Sequence, residues 1–367
     1  MLTVADWVGH LDAFAPRHLA AGWDNVGLLL GDHGSPCDRA MTCLTVTGDV
    51  VAEAVDERVE LIVAHHPILF KGVKNLSDGT PEGRLLQPLL RAGIAVYSPH
   101  TAFDNCPGGI NDGLAARFGL KNVRPLRSKD AAPEYKLVAF VPKADLNAVS
   151  DAIFAADGGV IGNYEQCSFR SPGKGTFFGA AGANPTVGQA GRREEVPEFR
   201  VEFLVPESKL AAAVAGLRNA HSYEEPAFDL YPLKPKRGHA GDGRIGELGV
   251  AVPLRDFAVL VKQACGANAI QFVGAAERPV KTVALACGAA GEYLQDSLRG
   301  NADVFVTGEA RFHDLLTAEA AGIAMVLPGH YASERPGVED LAERLKKAFP
   351  SSDVWASRYE RDPLTSF

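Results

Sequence analysis

TCLTVTGDVVAEAVDERVELIVAHHP, residues 42–67, reads in turn as an apolar run, an amphipathic stretch and a second apolar run that breaks off at paired histidines. Apolar runs of strand length alternating with helical periodicity predict a βαβ succession, and hence a largely parallel sheet. The alternation continues outward, with EGRLLQPLLRAG (82–93) as a helix, IAVYSPH (94–100) as a strand and NDGLAARFG (111–119) as another helix. The C-terminal third resumes it in KTVALACG (281–288), AGEYLQDSLRG (290–300), ADVFVTGE (302–309), HDLLTAEAAG (313–322), IAMVLPGH (323–330) and VEDLAERLKKAF (338–349). Both chain ends therefore read as parts of one α/β domain with a mixed, largely parallel sheet.

Between them the pattern changes. LVAFVPKADLNAVSDAIFAADG (137–158) and VEFLVPESKLAAAVAGLRNAH (201–221) share a strand, Val-Pro and a helix, with β-rich SFRSPGKGTFFGA (168–180) between the two copies. Proline near a first helical turn gives up an amide that has no partner there anyway. Two strand-helix units of this kind predict a ferredoxin-like α+β insert. A third match, VAVPLRDFAVLVKQACG (250–266), lies beyond the insert, so the Val-Pro offset alone does not define it. PLRSKDAAPEY (125–135) and YPLKPKRGHAGDGR (231–244) read as its boundaries, giving segments 1–124, 125–236 and 237–367.

A chain of 367 residues with 46% hydrophobic and 22% charged residues buries a full core. The net charge of -8 argues against electrostatic capture of nucleic acid, which is not expected as a partner. The six cysteines contain no CxxC pair, which leaves out a zinc ribbon or dithiol redox motif and predicts mostly buried, reduced thiols. MLTVADWVGHLDAF (1–14) reads as an amphipathic helix, and no run has the length of a membrane span. A cytoplasmic location and no membrane partner are the expectation.

The chemistry gathers where strand-like runs end. ELIVAHHP (60–67) places His65 and His66 there, IAVYSPHTAFD (94–104) places His100 and Asp104, and IAMVLPGHYASE (323–334) places His330 and Glu334. Ligands of open α/β sheets collect at the carboxyl ends of strands. His65, His66, Asp104, His330 and Glu334 are the candidate metal ligands, and five donors suit two ions better than one. Asp104, read alone, is a helix cap, and His330 with Glu334, read alone, is an exposed pair at a helix start. His100 and His313 are the candidate proton carriers, with Glu309 flanking. Imidazole with carboxylate serves zinc, iron or manganese alike, so two divalent ions per chain are expected without an identity. GDGRIGELG (241–249) lacks the strand-loop-helix order and the Lys-Ser/Thr of a phosphate loop.

AHHPILFKG (64–72), SPHTAFDN (98–105) with GGIND (108–112), TGEARFHD (307–314) and GHYASER (329–335) together resemble the NIF-three-like dinuclear-metal family, also called GTP cyclohydrolase 1 type 2-like. The resemblance takes in WDNVGLLLGD (23–32) and, in the insert, NYEQCSF, GTFFG, ANPTVG and HSYEEPAFDLYPL, and so spans nearly the whole chain. It implies a two-metal centre on His65, His66, Asp104, His330 and Glu334, a ring-shaped homohexamer and a PII/CutA-like insert. Leu29 stands where many relatives have Gln, so no side-chain hydrogen bond is expected at that place. The function implied is metal-dependent hydrolysis, with opening of the imidazole ring of a guanine nucleotide such as GTP as the leading reading. A metal-dependent phosphoesterase and a non-enzymatic metal-binding or regulatory scaffold are its rivals.

Overall fold

The computed structural model describes residues 1–131, 133–234 and 237–365. The chain divides into two compact units, Met1–Lys129 with the chain from Gly238 onward, and Asp130–Arg237. The boundary expected after residue 236 falls outside the described residues.

The first unit contains two sheets where the sequence suggested one. Periodicity reports how a strand is buried and not which neighbour it pairs with. One sheet takes Leu61–Ala64 as its middle strand, parallel to Arg39–Cys43 on one side and Ala95–Ser98 on the other. Asp353–Ala356 extends it in parallel, and Gly27–Leu30 closes the other edge antiparallel. The second sheet, of six strands, has Pro279–Ala286, Val304–Thr307 and Ala324–Leu327 in parallel at its centre. Antiparallel Arg237–Pro253 and Gln271–Val273 flank these, and Lys121–Asp130 lies at the edge beside Arg237–Pro253.

Strand periodicity sends Leu61 and Val63 to one face and Ile62 and Ala64 to the other, and all four are buried. Ile62 and Ala64 join Val50, Val51, Ala54 and Leu89 under the helices Gly48–Asp56 and Pro81–Ala92. Leu61 and Val63 share a larger core with Val283, Val304 and Val326 of the second sheet, so the two sheets bury their inner faces in common. Burial on both faces is the reason these strands read as continuous apolar runs. The N-terminal helix Val4–Phe14 buries Val4, Trp7, Val8 and Leu11 in the same core.

Local signals set the helix ends. Thr80 accepts the Gly83 amide at the start of Pro81–Ala92, and Gly93, at φ +69°, stops it. The last helix begins at His330, ahead of the stretch 338–349 that marks it in the sequence, and runs to Ala348 with Pro336 inside it. Arg244, 1% exposed, reaches from the second sheet to pair with Asp112 and donates to the carbonyls of Asn105 and Cys106.

The second unit runs strand, helix, strand, strand, helix, strand, through Glu134–Pro142, Leu146–Ala155, Phe169–Phe178, Arg193–Pro206, Glu207–Ala220 and Phe228–Pro232. Its first strand lies between the third and fourth, the second lies outside the third, and every pairing is antiparallel. This is the split βαβ wiring of ferredoxin-like sheets. Val149, Ile153, Ala213 and Leu217 of the helices pack on Leu137, Val201 and Phe203. All six cysteines are unpaired thiols, five of them buried. Among the described residues no helix is long and apolar enough to cross a membrane.

Candidate metal centre

The parallel strands of both sheets deliver their C-terminal ends to one place. Leu61–Ala64 runs out at His65 and His66, whose amides donate to the carbonyls of Cys43 and Leu44 at 2.9 and 2.8 Å. The backbone then leaves strand geometry, so neighbouring side chains that would point to opposite faces reach the same carboxylate. His65 Nε2 lies 3.9 Å and His66 Nε2 3.2 Å from the two oxygens of Glu334. Ala95–Ser98 leads into the short helix His100–Asn105, which carries His100 and Asp104 one turn apart. His100 opens that helix at φ +28°, a backbone conformation rare outside glycine and typical of residues held for function. From the second sheet, Ala324–Leu327 leads through Gly329, at φ +101°, to His330 and Glu334, whose Nε2 and Oε2 are 3.1 Å apart.

Two groups of donors result. His65, His66 and His100 bring ring nitrogens within 4.8 Å of one another, and His66, His330 and Glu334 do the same, with His66 common to both. Asp104 Oδ1 stands 3.6 Å from His65 Nε2 and accepts from the Cys287 thiol at 3.3 Å. Three of the imidazoles have Nδ1 engaged away from this centre. Thr45 Oγ1 meets His66 at 2.7 Å, Asp24 Oδ1 meets His100 at 2.7 Å and Glu309 Oε1 meets His330 at 3.3 Å. Each ring is thereby fixed with Nε2 left over, the arrangement by which proteins orient histidines around a cation.

The electrostatics point the same way. Burial forces the His65 ring far below the usual histidine range. Burial, reinforced by the Glu334 charge, pushes the Asp104 carboxyl up to about 7. Burial also works against ionised Glu334, but the imidazoles of His330 and His66 outweigh it and hold the carboxyl well below its ordinary range. His330 rises to about 9 through its contact with Glu334. Both ring nitrogens of His65 are buried without a hydrogen-bond partner among the described residues, and buried Glu334 Oε2 meets only the imidazoles of His330 and His66. Buried lone pairs left unanswered are costly, and a cation between them answers several at once. Gly288 leaves the room: a Cβ there would stand 2.2 Å from Glu334 Oε1 and 3.5 Å from His330 Nε2. The donor set therefore fits divalent metal ions.

The centre opens into a cavity of 220 Å³ whose walls include Trp23, His66, His100, Asp104, Gly288 and Glu334. The five ligands and Glu309 expected from the strand ends meet here. His100, expected as a proton carrier, stands among the donors themselves. His313 is exposed at the start of Phe312–Ala321 with its ring beside Phe312, outside both donor groups and the cavity wall.

Sequence reasoning passed over Asp24, Thr45, Asn111, Cys287 and Gly288. Asp24 also binds the amide and hydroxyl of Thr101, and Asn111 joins the Asp104 carbonyl to the Cys287 amide. Cys287 and Gly288 follow Pro279–Ala286, so the strand-end rule that found the histidines reaches them too. Thr45, two residues past Arg39–Cys43, is within reach of the same rule, whereas Asp24 precedes the strand Gly27–Leu30 and carried no such signal.

The sequence profile of the Duf34/NIF3 (NGG1p interacting factor 3) family matches residues 2–363. A Bacillus subtilis protein named GTP cyclohydrolase 1 type 2 homolog is 38% identical over 358 residues, 96% of either chain. Its namesake in Halalkalibacterium halodurans is 37% identical over 357 residues, again 96% of either chain. Among solved structures, a Bacillus cereus protein related to NIF3 superposes with a TM-score of 0.86 at 32% identity, covering 100% of this chain and 99% of its own.

Proposed function

The chain belongs to the Duf34/NIF3 family, and from that premise we propose that it is a dinuclear-metal-dependent hydrolase that opens the imidazole ring of a guanine nucleotide. One observation carries the reading. His66, His100 and His330 each spend Nδ1 on an outer partner while both buried ring nitrogens of His65 have none. Divalent ions at such a site supply Lewis acidity and make water a nucleophile near neutral pH. His65, His66, His100, Asp104, His330 and Glu334 would hold them, a wider set than the five of the sequence. Asp24 keeps His100 in one tautomer and orientation, and Thr45 does so for His66. Cys287 donates to Asp104 Oδ1 and so fixes which carboxylate oxygen faces the centre. Glu309, 56% exposed beside His330, stands where a proton can pass between the cavity and solvent. The names of the bacterial relatives support the nucleotide, and the ring-shaped hexamer implied by resemblance belongs to the same reading.

Mass-resolved turnover of metal-loaded protein against GTP, other nucleotides and phosphodiesters tests it, with Asp104→Ala alongside. Ring-opened product from the wild type and none from the variant is expected. Release from a phosphodiester instead identifies a phosphoesterase. No conversion by fully loaded protein leaves a metal-binding scaffold and overturns the proposal.

A further inference from the structure

We propose that Trp23 and Phe70 form a stacking wall for a planar heterocycle entering the metal cavity, and that Lys71 and Lys74 hold the anionic tail of the same ligand. The inference rests on the guanine-nucleotide reading and adds which residues would recognise the base and the phosphates.

Large aromatic side chains normally go to the core, as Trp7 does with no exposed surface. Trp23 is 63% exposed and Phe70 50%, yet their rings lie together with centroids 5.9 Å apart. Trp23 lines the metal cavity and stands edge-on to His100 at 6.0 Å. Neither ring is left to drift. Asp24, the next residue after Trp23, is bound to His100 and Thr101, and Asn25 Nδ2 donates to the Leu69 carbonyl at 2.5 Å. That last bond fastens the turn bearing Trp23 to the loop bearing Phe70. An exposed aromatic pair held rigid beside a polar cavity offers the π-face that any nucleobase can use.

The second half of the argument is charge. Besides the carboxylates that would face the ions, the cavity wall carries Asp242 and Glu292, which repel phosphate. Past Phe70 the chain forms a separate cleft of 460 Å³ whose lining includes Lys71, Gly72, Lys74, Asn75 and Thr80, with Glu82 as its one carboxylate. Both lysines are exposed, and neither has an ion pair or hydrogen bond among the described residues. Phe70 borders this cleft and also packs on Trp23, which makes the aromatic pair and the lysine-bearing cleft neighbours. Unpaired cations beside an aromatic platform suit a phosphorylated planar ring rather than a neutral one.

The test is binding, read apart from turnover. Full-length protein is titrated with GTP, guanosine and tripolyphosphate, by tryptophan emission and calorimetry, as wild type, Trp23→Ala and the double variant Lys71→Gln/Lys74→Gln. Metal content is measured for each protein, and equal content excludes a collapsed centre. GTP and guanosine are expected to quench emission in the wild type. Trp23→Ala weakens both about tenfold and leaves tripolyphosphate unchanged. The lysine variant weakens GTP and tripolyphosphate roughly fivefold and leaves guanosine unchanged. Guanosine that fails to bind the wild type, or binds Trp23→Ala equally well, overturns the inference. So does emission that acrylamide cannot quench at Trp23 in the free protein, which means a second copy of the chain covers the wall. Selective binding without turnover would sink the hydrolase reading alone, whereas turnover with unaltered affinities would sink only this one.

Discussion

Asp24 does its work through His100. Its carboxyl is held down to about 2, because the bonds from His100 and Thr101 outweigh the burial that opposes its charge. Asp24→Asn keeps the shape and loses the charge that orients the ring, and outer partners of this kind are worth roughly 10–100-fold in metal affinity. We expect that loss in metal retained after dialysis, measured by elemental analysis, with the fold intact by circular dichroism. Unchanged retention would show that His100 is not a ligand. The residues legible in the sequence were those standing immediately after an apolar run, where a core residue is expected and a polar one must be explained. Asp24 meets His100 across 76 positions and follows no strand, so nothing local distinguishes it from a surface aspartate.

At the scale of elements, the helix Gly48–Asp56 and the C-terminal strand are joined through one buried side chain. Glu53, 2% exposed, accepts from Trp355 Nε1, Ser357 Oγ and the amides of Arg358 and Tyr359. Burial raises its pKa, but these donors outweigh burial and hold it below the ordinary value. A carboxyl depressed on folding stabilises the protein above its unfolded pKa, and that stability is lost as pH falls through the folded value. Thermal melts from pH 7 downward are therefore expected to show a loss of Tm that sets in within the usual glutamate range and is completed below it, and a flatter dependence there for Glu53→Gln. At pH 7 the variant should melt lower by a few degrees, for a loss of about 1–3 kcal/mol. A variant curve parallel to the wild type would remove Glu53 as the cause. Helices and strands were readable from their periods, but this latch was not, because it joins two elements some 300 positions apart. The division into two sheets was equally hidden, since strands buried on both faces read alike whichever sheet they enter.

Over the whole molecule, the candidate centre takes His65, His66, His100 and Asp104 from one sheet and His330 and Glu334 from the helix that follows a strand of the other. Ions held there cross-link the two sheets, and anything bound only by the folded state stabilises it by mass action. With metal at a hundredfold excess over its Kd the gain is about 2.7 kcal/mol. Chelation should lower Tm by several degrees, and zinc, iron or manganese should restore it to an extent that ranks their affinities. A chelator-insensitive melt would argue against any resident ion. The interrupted architecture also has a consequence in time. Asp104 leaves the ribosome 183 residues before Cys287, the thiol that donates to it. At about 5–20 residues per second this is roughly 9–37 s of synthesis. Throughout that interval the nascent chain carries four candidate donors beyond strand ends whose opposite wall is not yet complete, while the intervening strand-helix unit is made in full. Half of the candidate site is thus exposed well before the C-terminal third can complete it.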